Sequence, residues 1–529
     1  MKRIELKSAI TSPGKVIVSG APEGIDGKVT GEIARLAEDR LVVHVARDDQ
    51  RASMIGEPIS FFAPDVNIFQ FQAWDCLPYD RVSPVADILA RRMSALAQLA
   101  AGKIDRPAVL LTTANAIVQK VPPRDIIRSA SFEAQPGNRV DTNELQEYLA
   151  VNGFSRTGTV VDHGDFAIRG GIIDIYPPGS EEPVRLDFFG DTLESIRSFD
   201  AQSQRTTGQL HGLKLDAASE VLLNADTIAR FRTAYTAQFS GTGMNDAVYE
   251  AVSAGRRYQG VEHWLSLFYE KLETVLDYAG NCLLTMDHLA DGAIEARNAQ
   301  VDEYYQARIE ALDKDTFGAP VYKPLPPDKM FLTGEAWTDL AAQYPVVALT
   351  PFEAPDASTL RVLSAQGRQG RSFAAERAEA GRNVYDAVVD HVRAQQKSDK
   401  RVLLAAWTEG SRDRLLGILK DHDLGLVVSA NDGPEALKRS KDMVSVVVLG
   451  LETGFETDDL AVIAEQDILG DRLVRRSKRQ RKASDFISEL ASLNPGDLVV
   501  HVDHGIGRFE GLKVIDVQGA PHDCLFLQY

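Results

Sequence analysis

Cysteine is scarce in this chain. Three in 529 residues, Cys76, Cys282 and Cys524, lie far apart and match no metal-ligand spacing. An odd, widely separated set builds no disulfide framework and fits a reducing compartment. Long apolar runs are missing as well: no stretch reaches the ~18 continuous apolar residues of a membrane span. The basic start, MKRIELKSAITSPG, has no apolar core of the kind a secretory signal carries. Positive charge is in deficit, with 58 Lys and Arg against 76 Asp and Glu and a net charge of -18. That balance argues against a surface that coats nucleic acid by global electrostatics. The expectation is a soluble, cytoplasmic, monomeric protein with no membrane association. Hydrophobic residues make up 44% of the chain, enough for real cores, and at ~150 residues per domain its length allows three to four domains.

Catalytic signatures are also wanting. A phosphate loop needs G-x-x-x-x-G-K-[ST], whose amides surround phosphate and whose hydroxyl meets magnesium. The loop after the first predicted strand reads SGAPEGIDGKVTG. Gly27 and Lys28 stand at the right places, but Pro22 replaces the first glycine and Val29 the hydroxyl residue. Proline removes an amide and valine cannot ligate a metal. A glycine-rich surface loop that does not bind nucleotide is expected, and no cofactor. The ten histidines are scattered, and Asp356-Ala357-Ser358 lacks the context of a nucleophile elbow. His501, Asp503 and His504 are neighbours without a second cluster, so no metal site and no catalytic residue is assigned.

What is present is an alternation of strands and helices. Over residues 1–125 the runs KVIVSG, RLVVHVA, NIFQF and AVLLTT predict strands, and ADILARRMSALAQLA predicts a helix with Ile88, Leu89, Met93, Leu96 and Leu99 at helical spacing. This pattern implies a parallel sheet covered on both faces. From Asn143 to Thr206 the pattern becomes strand-rich, GTVVDHGDFAIRGGIIDIYP and VRLDFFGDTLESIRSFD, with Gly170-Gly171 and Pro177-Pro178-Gly179 as turns. In RLDFF, Arg185, Asp187 and Phe189 share one strand face, opposite Leu186 and Phe188. Arginine beside an exposed aromatic suits a protein-docking hot spot. The alternative is a solvated face with Phe189 in a minor cluster.

Residues 245–315 read as helical, with Trp264, Leu265, Leu267, Phe268 and Leu272 near helical spacing. The group Arg256, Arg257, Tyr258, Gln259 and Gly260 either grips a partner or packs neighbouring domains together, the second being favoured. PLPPDK (324–329) suggests a stiff connector. A second α/β region follows from 345 to 465, with strands PVVALT, RVLLAA, GLVVSA, VSVVVLG and DLAVIAE and no glycine-rich fingerprint. DRLVRRSKRQRK (471–482) carries seven basic residues in twelve and reads as a linker that could touch phosphate or an acidic surface. Last, PGDLVVHVDHGIGRFEGLKVIDVQGAPHDCLFLQY predicts three short strands around a glycine-rich turn and a QGAPHD turn. So small a sheet needs further strands to bury its faces, and the sequence is expected to stop inside that domain.

The predicted fold is therefore α/β and multidomain. A degenerate parallel-sheet domain of phosphate-loop type covers 1–125, with an inserted α+β domain at 126–212 and a mostly helical part at 213–345. A small α/β domain follows at 346–465, then a basic linker with a short helix at 466–490. An incomplete small β-barrel fills 491–529.

Four runs resemble the amino-terminal half of the bacterial transcription-repair coupling factor family: WDCLPYDRVSPVADILARR (74–92), the stretch from His163 to Thr206, RRYQGVEHWLSLFY (256–269) and PGDLVVHVDHGIGRFEGLKVI (495–515). The first three are also similar to the damage-recognition protein UvrB, and the fourth resembles the family's RNA polymerase-interacting domain. The resemblance implies a degenerate UvrB-like module that recruits UvrA through Arg169, Arg185 and Phe189. It further implies a contact to the RNA polymerase β subunit through Ile515. ATP, magnesium and double-stranded DNA would belong mainly to a translocase motor whose motifs this sequence does not contain. An intact UvrB-like ATPase, or an adaptor unconnected to repair, are the competing readings.

Overall fold

The runs LVVHVA (Leu41–Ala46), AVLLTT (Ala108–Thr113) and CLLTM (Cys282–Met286) are buried at every position, which requires helices on both faces of the sheet that holds them. The computed structural model supplies them. It describes the chain apart from residues 1–5, 9, 12, 103, 106, 240–245, 313–321, 355–360, 380, 382, 423, 471–497, 502–504, 518–519 and 529. Two units, Met1–Leu473 and Val474–Tyr529, are each described by themselves.

The first unit is a mixed α/β structure built on several sheets. Its largest has seven parallel strands in the order Arg361–Ser364, Gly14–Ser19, Pro345–Leu349, Cys282–Met286, Leu41–Ala46, Ala108–Thr113, Asn67–Phe71. Helices Ile25–Leu36 and Asp49–Phe62 share a buried cluster with Val16, Val18, Val42 and Leu111, while helix Ala86–Ala101 shares another with Leu41, Val43, Leu110 and Leu284. A second sheet of six strands follows Arg368–Gln369, Phe455–Glu456, Leu460–Ala464, Arg401–Ala406, Val444–Val448, Val427–Ala430. Its Leu403, Val447, Phe455 and Val462 belong to the same buried cluster as Ile25, Ile33 and Ile59, so the two sheets share one core.

Between strand Ala108–Thr113 and strand Cys282–Met286 the chain leaves the large sheet. It builds a six-stranded sheet in the order Thr206–Leu210, Thr192–Phe199, Val184–Phe189, Ile172–Ile175, Asp165–Arg169, Ser155–Arg156. The excursion is closed where Phe132–Ala134 pairs antiparallel with Leu213–Leu215. The inner face of this sheet, Ile173, Ile175, Val184, Leu186, Leu193 and Ile196, packs on Leu145 and Leu149 of helix Thr142–Val151.

Several expectations are revised. Strand Pro345–Leu349 belongs to the first sheet, between Gly14–Ser19 and Cys282–Met286, rather than to the second α/β region. Cys282–Met286, inside the segment expected to be mostly helical, is itself an interior strand. A fully apolar run of five residues carries no periodicity that separates a strand from a buried helical turn, nor one sheet from another. Within the region read as helical, VEHWLSL forms a 3-10 helix, Val261–Leu267. Pro327 opens a one-turn helix, Pro327–Met330, where proline's missing amide is tolerated. Arg257 is held by Ser219 Oγ at 2.9 Å and by the Val151 and Val221 carbonyls at 3.3 and 2.9 Å, in line with packing between neighbouring segments.

In the second unit, Leu498–His501, Gly505–Val517 and Ala520–Gln528 form an antiparallel three-stranded sheet. The run IGRFEG is strand, with a bulge at Phe509/Gly511, and not the turn expected; residues of QGAPHD likewise continue into the third strand. The basic run 471–482, the short helix expected beside it, and Asp503 and His504 lie outside the described residues.

Arg92 falls between the apolar positions Leu89, Met93 and Leu96 of helix Ala86–Ala101, yet its side chain is fully buried. Its Nε donates to Glu220 Oε1 at 2.6 Å, its Nη1 donates to the Gln72 carbonyl, and the Phe71 ring lies 4.3 Å from its guanidinium carbon. This pair ties the large sheet to the point where the excursion returns. Removing one partner strands a buried charge. Arg92→Ala is therefore expected to lose about 3–5 kcal/mol in urea unfolding, whereas Arg92→Met combined with Glu220→Leu should stay near the parent value. Equal losses in both variants would mean that shape, not charge, sets the stability here.

Candidate functional site

The outer face of the six-stranded antiparallel sheet carries the residues singled out in RLDFF. Register places Arg169, Ile172, Asp187 and Ser195 in one row across four strands. The next row on the same face is Ala167, Asp174, Arg185, Arg197 and Gln209. Phe189 lies two residues beyond Asp187, at the end of its strand, where a two-residue turn, Gly190-Asp191, leads back to Thr192. Gly190 has φ 61°, the left-handed conformation such turns assign to glycine. The hairpin end leaves Phe189 77% exposed, so it is not tucked into a minor cluster. The fold thus brings Arg169, Arg185 and Phe189 onto one face.

Their surroundings differ. Arg185 is largely covered: its Nε and Nη2 donate to Asp174 Oδ1 and Oδ2 at 2.7 and 2.9 Å, and its guanidinium carbon lies 4.7 Å from the centre of the buried Phe199 ring. Hydrogen bonding to Asp174 is the main cause of a guanidinium pKa above its ordinary value. Arg197 pairs with Asp187, whose carboxylate also accepts from Ser195 Oγ at 2.7 Å. Arg169 is exposed, and its Nη2 donates to the Gly158 carbonyl at 2.5 Å and to Thr159 Oγ1 at 3.2 Å. Among the described residues no carboxylate lies within ion-pair distance of it. Asp174, Phe199 and the Asp187–Arg197 pair are the members that sequence alone missed. Alternation along GGIIDIYP places Asp174 opposite the apolar Ile173 and Ile175, a signal that could have found it.

The degenerate phosphate loop has a different fate. Gly20 and Ala21 donate their amides to the Phe352 and Thr350 carbonyls at 3.1 and 2.9 Å. Past Pro22, the Gly24 and Gly27 amides both donate to Asp26 Oδ1, at 3.0 and 2.6 Å. A side-chain carboxylate of the helix itself sits at the amino end of Ile25–Leu36, where an anion would be stabilised. Arg51 ion-pairs with Asp26 and also with Asp287, the latter at 3.0 Å. Val29 is buried in the shared core, and Lys28 Nζ lies 5.8 Å from the centre of the Phe62 ring. The second sheet closes over this loop. Glu23 accepts from the Glu452 and Thr453 amides at 2.9 and 3.3 Å, and a Cβ on Gly24, whose φ is 86°, would come within 2.5 Å of the Phe455 ring. A cavity of about 230 Å³ remains, lined by Glu23, Asp26, Asp287 and Glu452 together with Arg47 and Arg51.

In the second unit Ile515 stands opposite His522 in the strand pairing; its side chain lies outside the described residues.

Three family models match the sequence: a UvrB interaction domain over 132–220, an MFD, D3 domain over 395–468, and a CarD-like/TRCF RID domain over 493–529. The first spans the six-stranded antiparallel sheet with the outer face described above, and the second spans most of the other, mixed six-stranded sheet. The chain is 30% identical over 528 residues to the transcription-repair-coupling factor of Escherichia coli (strain K12), covering 97% of this chain and 44% of that protein. It is 30% identical over 542 residues to that of Myxococcus xanthus, 96% and 44%, and 28% identical over 487 residues to that of Rickettsia bellii (strain RML369-C), 92% and 42%. The chain is thus similar, over nearly its whole length, to part of these transcription-repair-coupling factors. It spans less than half the length of these curated relatives. Among the described residues no helix is long and apolar enough to cross a membrane.

Glu23 is a group whose ionisation reports the junction of the two sheets. Burial, then the charges of Asp26 and Glu452, raise its carboxyl from 4.5 to about 7 against the pull of the Glu452 and Thr453 amides. In the unfolded chain the group ionises near 4.5. Between about 4.5 and 7 the folded chain keeps a proton that the unfolded chain releases, so this group's contribution to stability falls as pH rises through that window. Glu23→Gln should reduce the drop in thermal midpoint between pH 5 and pH 8. An undiminished drop would assign the titration to another group.

Proposed function

We propose that this chain is the docking part of a transcription-coupled nucleotide-excision repair factor. Segment 126–212 recruits UvrA through Arg169, Arg185 and Phe189. Segments 1–125 and 213–345 form the UvrB-like body that carries it, and 346–465 is the D3 domain joined to that body. Residues 491–529 begin the contact with the RNA polymerase β subunit, with Ile515 as the contact residue. The chain acts as a cytoplasmic monomer and catalyses nothing itself. ATP hydrolysis, magnesium and grip on double-stranded DNA are assigned to the remaining part of a full-length factor, which uses them to displace stalled polymerase.

The observation that carries the UvrA assignment is Phe189. It is a large apolar side chain held in the open at a hairpin end, on one face with two arginines, in the segment matched by a UvrB interaction domain model. An aromatic ring beside arginines has the composition in which interface hot spots are enriched. Phe189→Ala should weaken UvrA binding by about tenfold or more in calorimetry, roughly 1.4 kcal/mol. Its unfolding midpoint should not move, because the ring is exposed. Arg185→Ala is the poorer probe, since it strands the buried Asp174 carboxylate and unsettles the fold. Full affinity in both Phe189→Ala and Arg169→Ala would exclude this face.

The nucleotide assignment rests on the Asp26 carboxylate, which already accepts the amides that a phosphate would need. A labelled ATP analogue with magnesium should show no saturable binding below roughly millimolar concentration. Saturation at micromolar concentration would restore a nucleotide site to this part of the family.

A further inference from the structure

The docking face carries five charged residues in its two register rows: Arg169, Asp174, Arg185, Asp187 and Arg197. Four of them neutralise one another in two pairs, Asp174 with Arg185 and Asp187 with Arg197. Arg169 is left over as the one uncompensated charge of these rows. Arg185 is held rigidly. Both oxygens of a carboxylate that is itself only 3% exposed grip its Nε and Nη2, and its plane rests on Phe199. The N–H groups of Nη1 are not engaged by Asp174, so Arg185 still donates hydrogen bonds, but from a neutral ion pair.

We propose that the three residues read three different chemistries on the partner, and that Asp174 sets this division. Arg169 meets a carboxylate, Arg185 meets a neutral oxygen such as a backbone carbonyl, and Phe189 enters an apolar socket. Asp174 is a positioning residue. It fixes the Arg185 fork and cancels its charge, so a partner carboxylate gains little at Arg185 and is selected only at Arg169. A cation without a counter-ion responds to ionic strength, whereas a neutral hydrogen-bonding pair and an apolar contact do not. The inference rests on the UvrA-docking assignment above and adds the charge pattern that the partner must present.

The test is calorimetric titration of UvrA with the whole chain at 50 and 500 mM NaCl, with unfolding midpoints recorded for each variant. The unmodified chain should bind more weakly at high salt. Arg169→Gln should bind about fivefold more weakly at low salt, the scale of one exposed ion pair, and lose most of the salt response. Phe189→Ala should weaken binding by the same factor at both salt concentrations. Arg185→Lys keeps the charge but loses the planar fork, so affinity should fall while the salt response stays that of the parent. Asp174→Asn uncovers the Arg185 charge, and the salt response should become steeper, a change that loss of structure alone would not produce. If Asp174→Asn does not fold, the Arg169→Gln and Arg185→Lys pair decides the matter. Binding lost in Phe189→Ala together with an unaltered salt response in Arg169→Gln, or a shallower one in folded Asp174→Asn, would overturn the division of roles while leaving the docking face in place. Absence of binding by the unmodified chain would overturn the docking assignment and this proposal together.

Discussion

Arg51 occupies the point on which the first unit turns. It lies on helix Asp49–Phe62 and reaches Asp26, at the start of helix Ile25–Leu36, and Asp287, just past strand Cys282–Met286. The three side chains are 11, 5 and 3% exposed. Two carboxylates around one cation leave a net negative charge in a dry place, which burial alone would make costly. The amino end of helix Ile25–Leu36 offsets it, because the Gly24 and Gly27 amides and the helix dipole favour an anion there. A position that would suit an anion is thereby filled by a residue of the chain. With Asp26 in that seat, Glu23 is turned to the Glu452 and Thr453 amides, Phe455 rests against Gly24, and the two sheets share a continuous core. The loop has become a joint.

The docking face follows the same rule of internal neutralisation, with an opposite result. On it, charges are paired side by side across neighbouring strands, Asp174 and Arg185 largely covered, and one cation and one phenyl ring are left without partners of their own kind. Pairing lowers what a partner must desolvate, since an ion pair already fixed by its neighbour requires little reorganisation when water is displaced. It also separates Phe189 from any other large exposed apolar side chain of the face, the buried Phe199 lying beneath Arg185. A single exposed ring within a charged surround is a weak site for self-association yet a sufficient anchor for a shaped socket.

Much of this was legible in the sequence. Short apolar runs mark the strands Gly14–Ser19, Leu41–Ala46, Asn67–Phe71, Ala108–Thr113, Arg401–Ala406 and Leu460–Ala464, and helical spacing marks the helix Ala86–Ala101. Alternation in RLDFF placed Arg185 and Phe189 on one side, and Pro22 and Val29 marked the loop as altered. What stayed hidden depends on partners distant in sequence. Nothing local in PVVAL says that its neighbours are Gly14–Ser19 and Cys282–Met286. Arg92 reads as solvated because its counter-charge, Glu220, stands 128 positions away. Asp26 reads as an ordinary first-turn acid, since its pairing with Arg51 and Asp287 exists only after three elements meet. The glycines of DHGIGRFEG signal a turn, whereas from Gly505 on they lie within a strand that has a bulge at Phe509/Gly511.

The two kinds of pairing also differ in how they form. Strand Gly14–Ser19 finds its neighbours only at Pro345–Leu349 and Arg361–Ser364, so the large sheet cannot close until most of the unit has been gathered. The docking sheet pairs strands that follow one another, from Asp165–Arg169 through Thr206–Leu210. Local pairing loses less chain entropy on closure, so the geometry of the docking face is set by its own hairpins. Its attachment to the body includes the Arg257 contacts to Val151 and Val221, the Arg92–Glu220 pair and an ion pair of His163 with Asp87 at 3.2 Å. None of these contacts involves Arg169, Arg185 or Phe189. The presentation of Arg169, Arg185 and Phe189 is therefore dictated by their own sheet and not by the loop at which the two larger sheets meet.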